Sequence, residues 1–223
     1  MEIFFRLKSI SSKLALVLAI ALAGLSSLPS QAQEFGSFQG PFDVRMLPDG
    51  RNMMLLRDVT YIDRSGHPWT APKGAINNGA SIPRSLWTII GAPFSGKYRN
   101  AAVIHDHFCD VQTRGWKKTH LAFYYASRTA GVTRPMAKTM YYAVYRFGPR
   151  WLRPRSRPRS RSRAVGDNST DSSKIVFKPK IIKSEFETMK ARIERGGVDI
   201  AEIENVSRAS LRSLSRGISG FGD

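Results

Sequence analysis

The order of apolar and polar positions predicts short strands first and helices afterwards. Runs at 42–47, 52–56 and 59–63 have strand-like length and composition, and Pro48-Asp49-Gly50 is typical of a turn between strands. A fourth strand is predicted at 68–71, where the prolines suit a sheet edge. The glycine- and asparagine-rich stretch 73–80 is expected to be a loop. These features predict a small antiparallel meander.

Helical periodicity dominates the next part of the chain. Helices are predicted at 84–90, 98–110, 116–130 and 134–147, with Gly131 ending the third and Pro135 in the first turn of the fourth. Strands followed by helices indicate the α+β class. We therefore expect a small antiparallel sheet followed by a three- to four-helix bundle within a globular domain at 42–152.

The amino-terminal segment has the pattern of an export signal. Arg6, Lys8 and Lys13 precede an apolar stretch at 14–25, and Ser30-Gln31-Ala32 resembles a cleavage site. We expect a cleavable signal peptide at 1–32, a loose leader at 33–41, and a periplasmic or secreted protein. The apolar stretch is short for a membrane span, so no transmembrane helix is expected in the mature chain, and an uncleaved anchor is the alternative.

The carboxy-terminal third begins with a segment too polar to form a core. Residues 153–173 are expected to be a disordered linker rich in Arg, Ser and Pro. Residues 174–223 are expected to form a partly helical extension, with a strand-like run at 175–182 and amphipathic helices at 184–195 and 199–215. These helices would dock on the core, on a partner or on a membrane surface.

The strong positive charge indicates candidate partners. The formal net charge is +18 at pH 7, which favours anionic surfaces. Anionic lipid, acidic polysaccharide and nucleic acid are the candidates, and solubility without a charged partner is the alternative. The arginines expected to make these contacts are Arg153, Arg155, Arg157, Arg159, Arg161 and Arg163.

Two histidines on neighbouring predicted helices are the best candidates for chemistry. His105 and His120 each lie on the apolar stripe of their helix, and a short turn makes the helices antiparallel. Both lie about 6–8 Å from that turn, given the rise per residue of an α-helix. Their imidazoles are therefore expected to meet. His107 points away, and Cys109, the only cysteine, is expected to be a buried apolar filler.

Carboxylates beside the histidines suggest either a general base or a metal site. Asp106 shares a helix face with Asp110, and this pair would hold a cation or face solvent. Two histidines and a carboxylate suit Zn²⁺, whereas a His–Asp couple suits a base that activates water. The catalytic candidates are thus His105, Asp106 and His120, and the metal candidates are Asp106, His120 and Asp110. A hydrogen-bonded structural histidine pair is an equally weighted alternative.

The loop 77–84 supplies candidate substrate-binding residues. Asn78, Ser81 and Arg84 carry an amide, a hydroxyl and a guanidinium that suit a pocket beside the helices. The alternative is a loop that ends in a helix cap, with Ser81 as the cap.

Several of these motifs, in this order, resemble domain-of-unknown-function family 1353 (DUF1353), found in bacterial and phage proteins. The resemblance spans about 42–148 and implies no established activity. The family usually has Thr-Asp where this chain has Asn77-Asn78, and Asp where it has His120. The motifs that carry the resemblance are 79–84, Trp87, Tyr98, 101–106, Gly131-Val132 and 141–148.

A fainter resemblance is to secreted phospholipases A2, whose active helix carries His-Asp and then Cys, as His105, Asp106 and Cys109 do here. That resemblance implies a histidine base, a Ca²⁺-binding Asp106, and an orienting residue at His120. The glycine-rich calcium loop of those enzymes is not evident, and one cysteine cannot form their disulfides.

Two hypotheses follow. The first is an exported, metal-assisted hydrolase with His105 as base. The second is a non-enzymatic, phage-derived or envelope-associated protein whose basic tail binds anionic surfaces. An open cleft at His105 favours the enzyme, and a sealed histidine pair favours the non-enzymatic protein. The sequence predicts no oligomeric state.

Overall fold

The computed structural model describes residues 34–50, 52–77, 82, 86–91, 96–151, 176–177 and 179–219. The signal peptide expected at 1–32 and the linker expected at 153–173 lie outside these residues, as do Asn78, Ser81 and Arg84. In the described part, no helix has both the length and the apolar character needed to cross a membrane.

The structure confirms the α+β class, with strands in antiparallel pairs and helices after them. The strands are β1 (Ser37–Gln39), β2 (Val44–Met46), β3 (Met53–Leu55), β4 (Val59–Ile62), β5 (Pro68–Ala71), β6 (Ile76–Asn77), β7 (Arg150–Trp151) and β8 (Val176–Phe177). A four-residue helix, α1 (Trp87–Ile90), precedes the longer helices α2 (Arg99–Val111), α3 (Trp116–Thr129), α4 (Arg134–Phe147), α5 (Lys183–Arg195) and α6 (Ile200–Ser219).

The single meander expected from the sequence is wrong, because the first six strands form two three-stranded sheets, and β7 and β8 form a separate two-stranded sheet. Of the three-stranded sheets, one has the order β1-β4-β5 and the other β2-β3-β6. The sequence missed β1, which pairs with β4 from within the expected leader, and β6, which pairs with β3 from within the expected loop. Both are too short to show an alternating pattern. The edge position expected for 68–71 is confirmed, since β5 pairs only with β4 in its sheet.

The turn between β4 and β5 is organised by one carboxylate. Asp63 Oδ1 accepts the backbone N–H groups of Ser65 and His67 at 2.8 and 3.0 Å, and its Oδ2 accepts Trp69 Nε1–H at 3.0 Å. Gly66 completes the turn with φ of 79°, a conformation that glycine adopts without strain. Burial alone would raise the pKa of Asp63. The hydrogen bonds stabilise the ionised carboxylate more strongly and hold the pKa below its ordinary value.

Helix α4 lies at the centre of the core. Residues 137–147 are all buried, and α4 contacts α3, α5 and α6. Phe186 and Met189 of α5 and Ile203 of α6 are buried in the same core. The two C-terminal helices, for which the sequence left core, partner and membrane open, therefore dock on the core.

An ion pair accompanies that docking. Arg146 of α4 is completely buried, and its Nε and Nη2 donate to the two carboxylate oxygens of Glu185 at 2.7 and 2.8 Å. Glu185 also accepts the Tyr142 hydroxyl proton at 3.0 Å. A bidentate pair of this kind fixes both position and orientation of the partner helix.

Replacing Asp63 with Asn is expected to destabilise the fold by about 1–3 kcal/mol at pH 7, because the ionised acceptor is lost. Folding lowers the pKa of Asp63. The stabilisation by its ionised carboxylate is therefore fully present above the pKa of the unfolded chain, near 4, and is lost as the pH falls through the pKa of the folded protein. Urea unfolding of wild type and Asp63→Asn at several pH values measures the difference. A difference that does not shrink in acid would contradict the account.

Glu185→Gln is expected to lower stability by about 3 kcal/mol, because it leaves the Arg146 cation buried without its counter-charge. Glu187→Gln is the matched control on the same helix, since the Glu187 side chain is 56% exposed and 3.9 Å from Lys183. Denaturant unfolding compares the two. Equal small effects would show that the pair does not hold α5 in place.

Candidate functional site

The turn between α2 and α3 brings His105 and His120 to one level. Helix α2 ends at Val111, and the next residue, Gln112, has a left-handed φ of 53° and donates its N–H to the Phe108 carbonyl. Helix α3 begins after Gly115. The Nε2 atom of His105 lies 2.7 Å from the Nδ1 atom of His120. The predicted meeting of the two imidazoles is confirmed.

A backbone carbonyl fixes which nitrogens carry hydrogen. His120 Nε2 lies 3.1 Å from the Pro149 carbonyl oxygen, which only accepts, so this nitrogen is the donor. In a neutral ring the other nitrogen, Nδ1, is then an acceptor. His105 Nε2–H consequently donates to His120 Nδ1.

Burial keeps both rings neutral. His105 is 2% exposed and His120 is 0% exposed. Burial lowers the pKa of His120 to about 3, against the raising effect of the Pro149 hydrogen bond and with a further contribution from the Arg150 cation. Burial and the neighbouring His120 hold the pKa of His105 well below 6.5. Rings with such low pKa values are weak bases at neutral pH.

Aromatic side chains surround the two imidazoles. The Phe123 ring centroid lies 4.7 Å from that of His105, and those of Trp116 and Trp151 lie 5.6 and 6.2 Å from that of His120. This apolar packing accounts for the desolvation of the pair.

The structure adds Cys109 to the site. Its Sγ atom lies 3.7 Å from His105 Nε2, and donor atoms of His105, Cys109 and His120 all lie within 4.8 Å of one another. Cys109 is buried, as expected from the sequence, but its proximity to the two histidines was not predicted. The four-residue spacing from His105, which places both on one helix face, was the available signal.

The carboxylates predicted as metal ligands lie elsewhere on α2. Asp106 is buried, at 5% exposure, and Asp110 is exposed. Among the described residues, the group of metal-ligand donors contains neither of them. His107 is partly exposed, with its ring against that of Phe108. Among the described residues, the structure thus groups Cys109 with His105 and His120.

Both histidines are buried within the described part of the chain, at 2% and 0% exposure. Three surface cavities formed by described residues have volumes of about 490, 500 and 320 Å³, and these three are not lined by His105, Cys109 or His120.

Comparison with known proteins finds two uncharacterised relatives. The chain is 36% identical over 150 residues to the uncharacterized protein y4iH of Sinorhizobium fredii. The aligned region covers 65% of this chain and 63% of that protein. It is 42% identical over 136 residues to the uncharacterized protein y4jT of the same organism, covering 60% of this chain and 40% of that protein. The chain thus spans less than two thirds of either relative.

No solved structure matches the chain. Residues 53–144, which include β3 to β6 and most of α1 to α4, match the family model described as "Protein of unknown function (DUF1353)". This matched segment carries all three donors of the buried cluster.

Proposed function

We propose that this chain is an exported metalloprotein in which His105, Cys109 and His120 bind a transition-metal ion that stabilises the fold. The observation that carries the proposal is the convergence of two imidazole nitrogens and one sulfur within 4.8 Å in the core. Imidazole and thiolate are the donors that Zn²⁺ prefers in proteins.

Two of the three donor-to-donor distances are close to those of a tetrahedral zinc site. Two nitrogen ligands bound to zinc at about 2.0 Å lie about 3.3 Å apart, and a sulfur bound at about 2.3 Å lies about 3.6 Å from such a nitrogen. The sulfur-to-nitrogen distance here, 3.7 Å to His105 Nε2, already fits. The nitrogen-to-nitrogen distance of 2.7 Å must widen by roughly half an ångström.

The surroundings of His120 support the same proposal. Metal-bound histidines usually donate their second ring N–H to a carbonyl or carboxylate, which orients the ring. The Pro149 carbonyl accepts such a bond from His120 Nε2 and leaves Nδ1 as the ligand atom. His105 would bind through Nε2 once its ring hydrogen moves from Nε2 to Nδ1, which replaces its hydrogen bond to His120 by a bond to the metal. Neutral rings also avoid competition between proton and metal at neutral pH.

The donor set discriminates between the two metals considered from the sequence. Calcium takes oxygen ligands, whereas this cluster offers nitrogen and sulfur. We therefore propose zinc for the buried cluster. A calcium role for Asp106 and Asp110 gains no support from that cluster.

Metal-assisted hydrolysis is the second candidate function. Three protein ligands leave one coordination position for water, which is the arrangement of catalytic zinc sites. In that case His105 and His120 act as metal ligands, Asp106 orients the reacting groups, and Asn78, Ser81 and Arg84 bind substrate. The burial of the three donor side chains favours a structural ion over this candidate.

Zinc is expected at about one ion per chain in protein purified without chelator, and added zinc is expected to raise the melting temperature of metal-free protein, because the ion binds only the folded state. Cys109→Ser and His105→Ala are expected to weaken zinc binding at least tenfold, in line with the sensitivity of metal sites to ligand changes. Elemental analysis, titration with zinc and thermal melts measure these effects.

His107→Ala is the matched control, since His107 lies on the same helix outside the cluster, and its zinc binding is expected to equal that of wild type. Wild-type protein that neither contains nor binds zinc would leave a hydrogen-bonded structural pair as the better account. Ester and phospholipid hydrolysis by the zinc form, lost in Cys109→Ser and kept in His107→Ala, would favour the hydrolase.

The alternative without a metal rests on charge. In a non-enzymatic, periplasmic or secreted protein, the arginines at 153, 155, 157, 159, 161 and 163 would hold the chain on anionic lipid, acidic polysaccharide or nucleic acid. The density of positive charge in this segment supports this role.

Replacement of these six arginines by serine is expected to reduce sedimentation with anionic phospholipid vesicles, and the wild-type binding is expected to weaken with added salt because charge screening shortens to about 8 Å at physiological ionic strength. The full-length background keeps α5 and α6, which the core requires. Equal sedimentation of the variant and wild type would remove the segment from the proposal.

A further inference from the structure

A basic cavity lies on the opposite end of α3 from the histidine pair. It has a volume of about 490 Å³, which is within the range of small-molecule sites. The turn after β4, the end of α3, the start of α4 and the start of α6 all contribute to it, together with residues 34 and 35. Several separate elements thus converge on one concave surface.

The charges that line this cavity are predominantly positive. Arg64, Arg128, Arg134 and Lys138 line it, against the carboxylates of Glu34 and Asp199. None of the ion pairs within 4.0 Å between described residues includes any of these four cations. The cavity therefore carries an excess of two positive charges that the described protein does not neutralise.

One of the two carboxylates, that of Asp199, already makes a hydrogen bond within the protein. Asp199 Oδ1 accepts the backbone N–H of Glu202 at 2.7 Å and so caps the start of α6. Lys138 donates to the Val198 carbonyl just before that cap. Arg64 and Arg134 are exposed and remain available to an added anion.

One N–H group of Arg128 has no hydrogen-bond acceptor among the described residues. Its Nη1 donates to the Val132 carbonyl at 2.6 Å, but its Nε is buried and makes no hydrogen bond within the described part of the chain. A buried donor without an acceptor is unfavourable. Negative charge in the cavity beside this guanidinium would be favoured by its positive charge.

Aromatic faces line the same cavity. The guanidinium carbon of Arg128 lies 4.8 Å from the Phe35 ring centroid, and that of Arg64 lies 5.4 Å from the Tyr125 ring centroid. The Phe35 and Tyr125 rings stack with centroids 6.4 Å apart. Planar rings and guanidinium groups together favour a planar ligand that carries negative charge.

We propose that this cavity binds a small organic anion that combines a phosphate group with an aromatic ring. The phosphate would contact the exposed Arg64 and Arg134, and the ring would lie against Tyr125 and Phe35. This site is separate from the buried cluster, and it does not depend on a metal.

Isothermal titration of the full-length protein with phenyl phosphate tests the proposal, with inorganic phosphate and benzylamine as comparison probes. Phenyl phosphate is expected to bind most tightly, inorganic phosphate more weakly, and the benzylamine cation not at all. Equal binding of phenyl phosphate and inorganic phosphate would overturn the aromatic part. No binding of either anion would overturn the whole proposal.

The double variant Arg64→Gln, Arg134→Gln is expected to weaken phenyl phosphate binding at least tenfold, because two exposed cations are removed from the cavity. Arg99→Gln, Lys117→Gln is the matched control, since it removes the same charge from exposed helix positions outside the cavity. Unchanged melting temperatures verify folding. Equal losses in both double variants would indicate an effect of net charge alone and would overturn the site.

Discussion

The pairing of Arg146 with Glu185 is the constraint on which the arrangement of the helices depends. A guanidinium at 0% exposure is tolerated only with a counter-charge and hydrogen bonds, and Glu185 supplies the charge from a helix that follows the arginine-rich segment. The central helix α4 is buried along residues 137–147, so it needs cover on every side. Helices α5 and α6 provide that cover where sheets and α3 do not.

This constraint extends the folded unit beyond the family match. Residues 53–144 match the family model, while Phe186 and Ile203 lie well after that segment and are buried in the same core. Glu185 also follows that segment and pairs with the buried Arg146. Cutting the chain after α4 would expose the arginine and this apolar surface together. The C-terminal helices are thus required by the core rather than appended to it.

The sequence predicted the long elements well, because their periodicity is strong. Helix α4 was predicted with the bounds that the structure has, and the meeting of His105 with His120 followed from the stripe positions and the turn length. The strands β1 and β6 were missed because two or three residues carry no period. The approach of the Cys109 sulfur to both ring nitrogens of His105, at 3.9 and 3.7 Å, depends on side-chain conformations that the sequence pattern does not show. The pairing of Arg146 with Glu185 joins residues far apart in the chain, which no local pattern reveals.

The short pairing of β7 with β8 has a topological consequence. Trp151 is opposite Val176 and Arg150 is opposite Phe177, so the arginine-rich segment between them is anchored at both ends. A chain tethered at both ends reaches outward by no more than half its contour length, about 40 Å for this segment. Any surface that the arginines engage must lie within that distance of the β7–β8 ladder. Such a contact would also orient the folded unit, with the β7–β8 strand pair facing the bound surface.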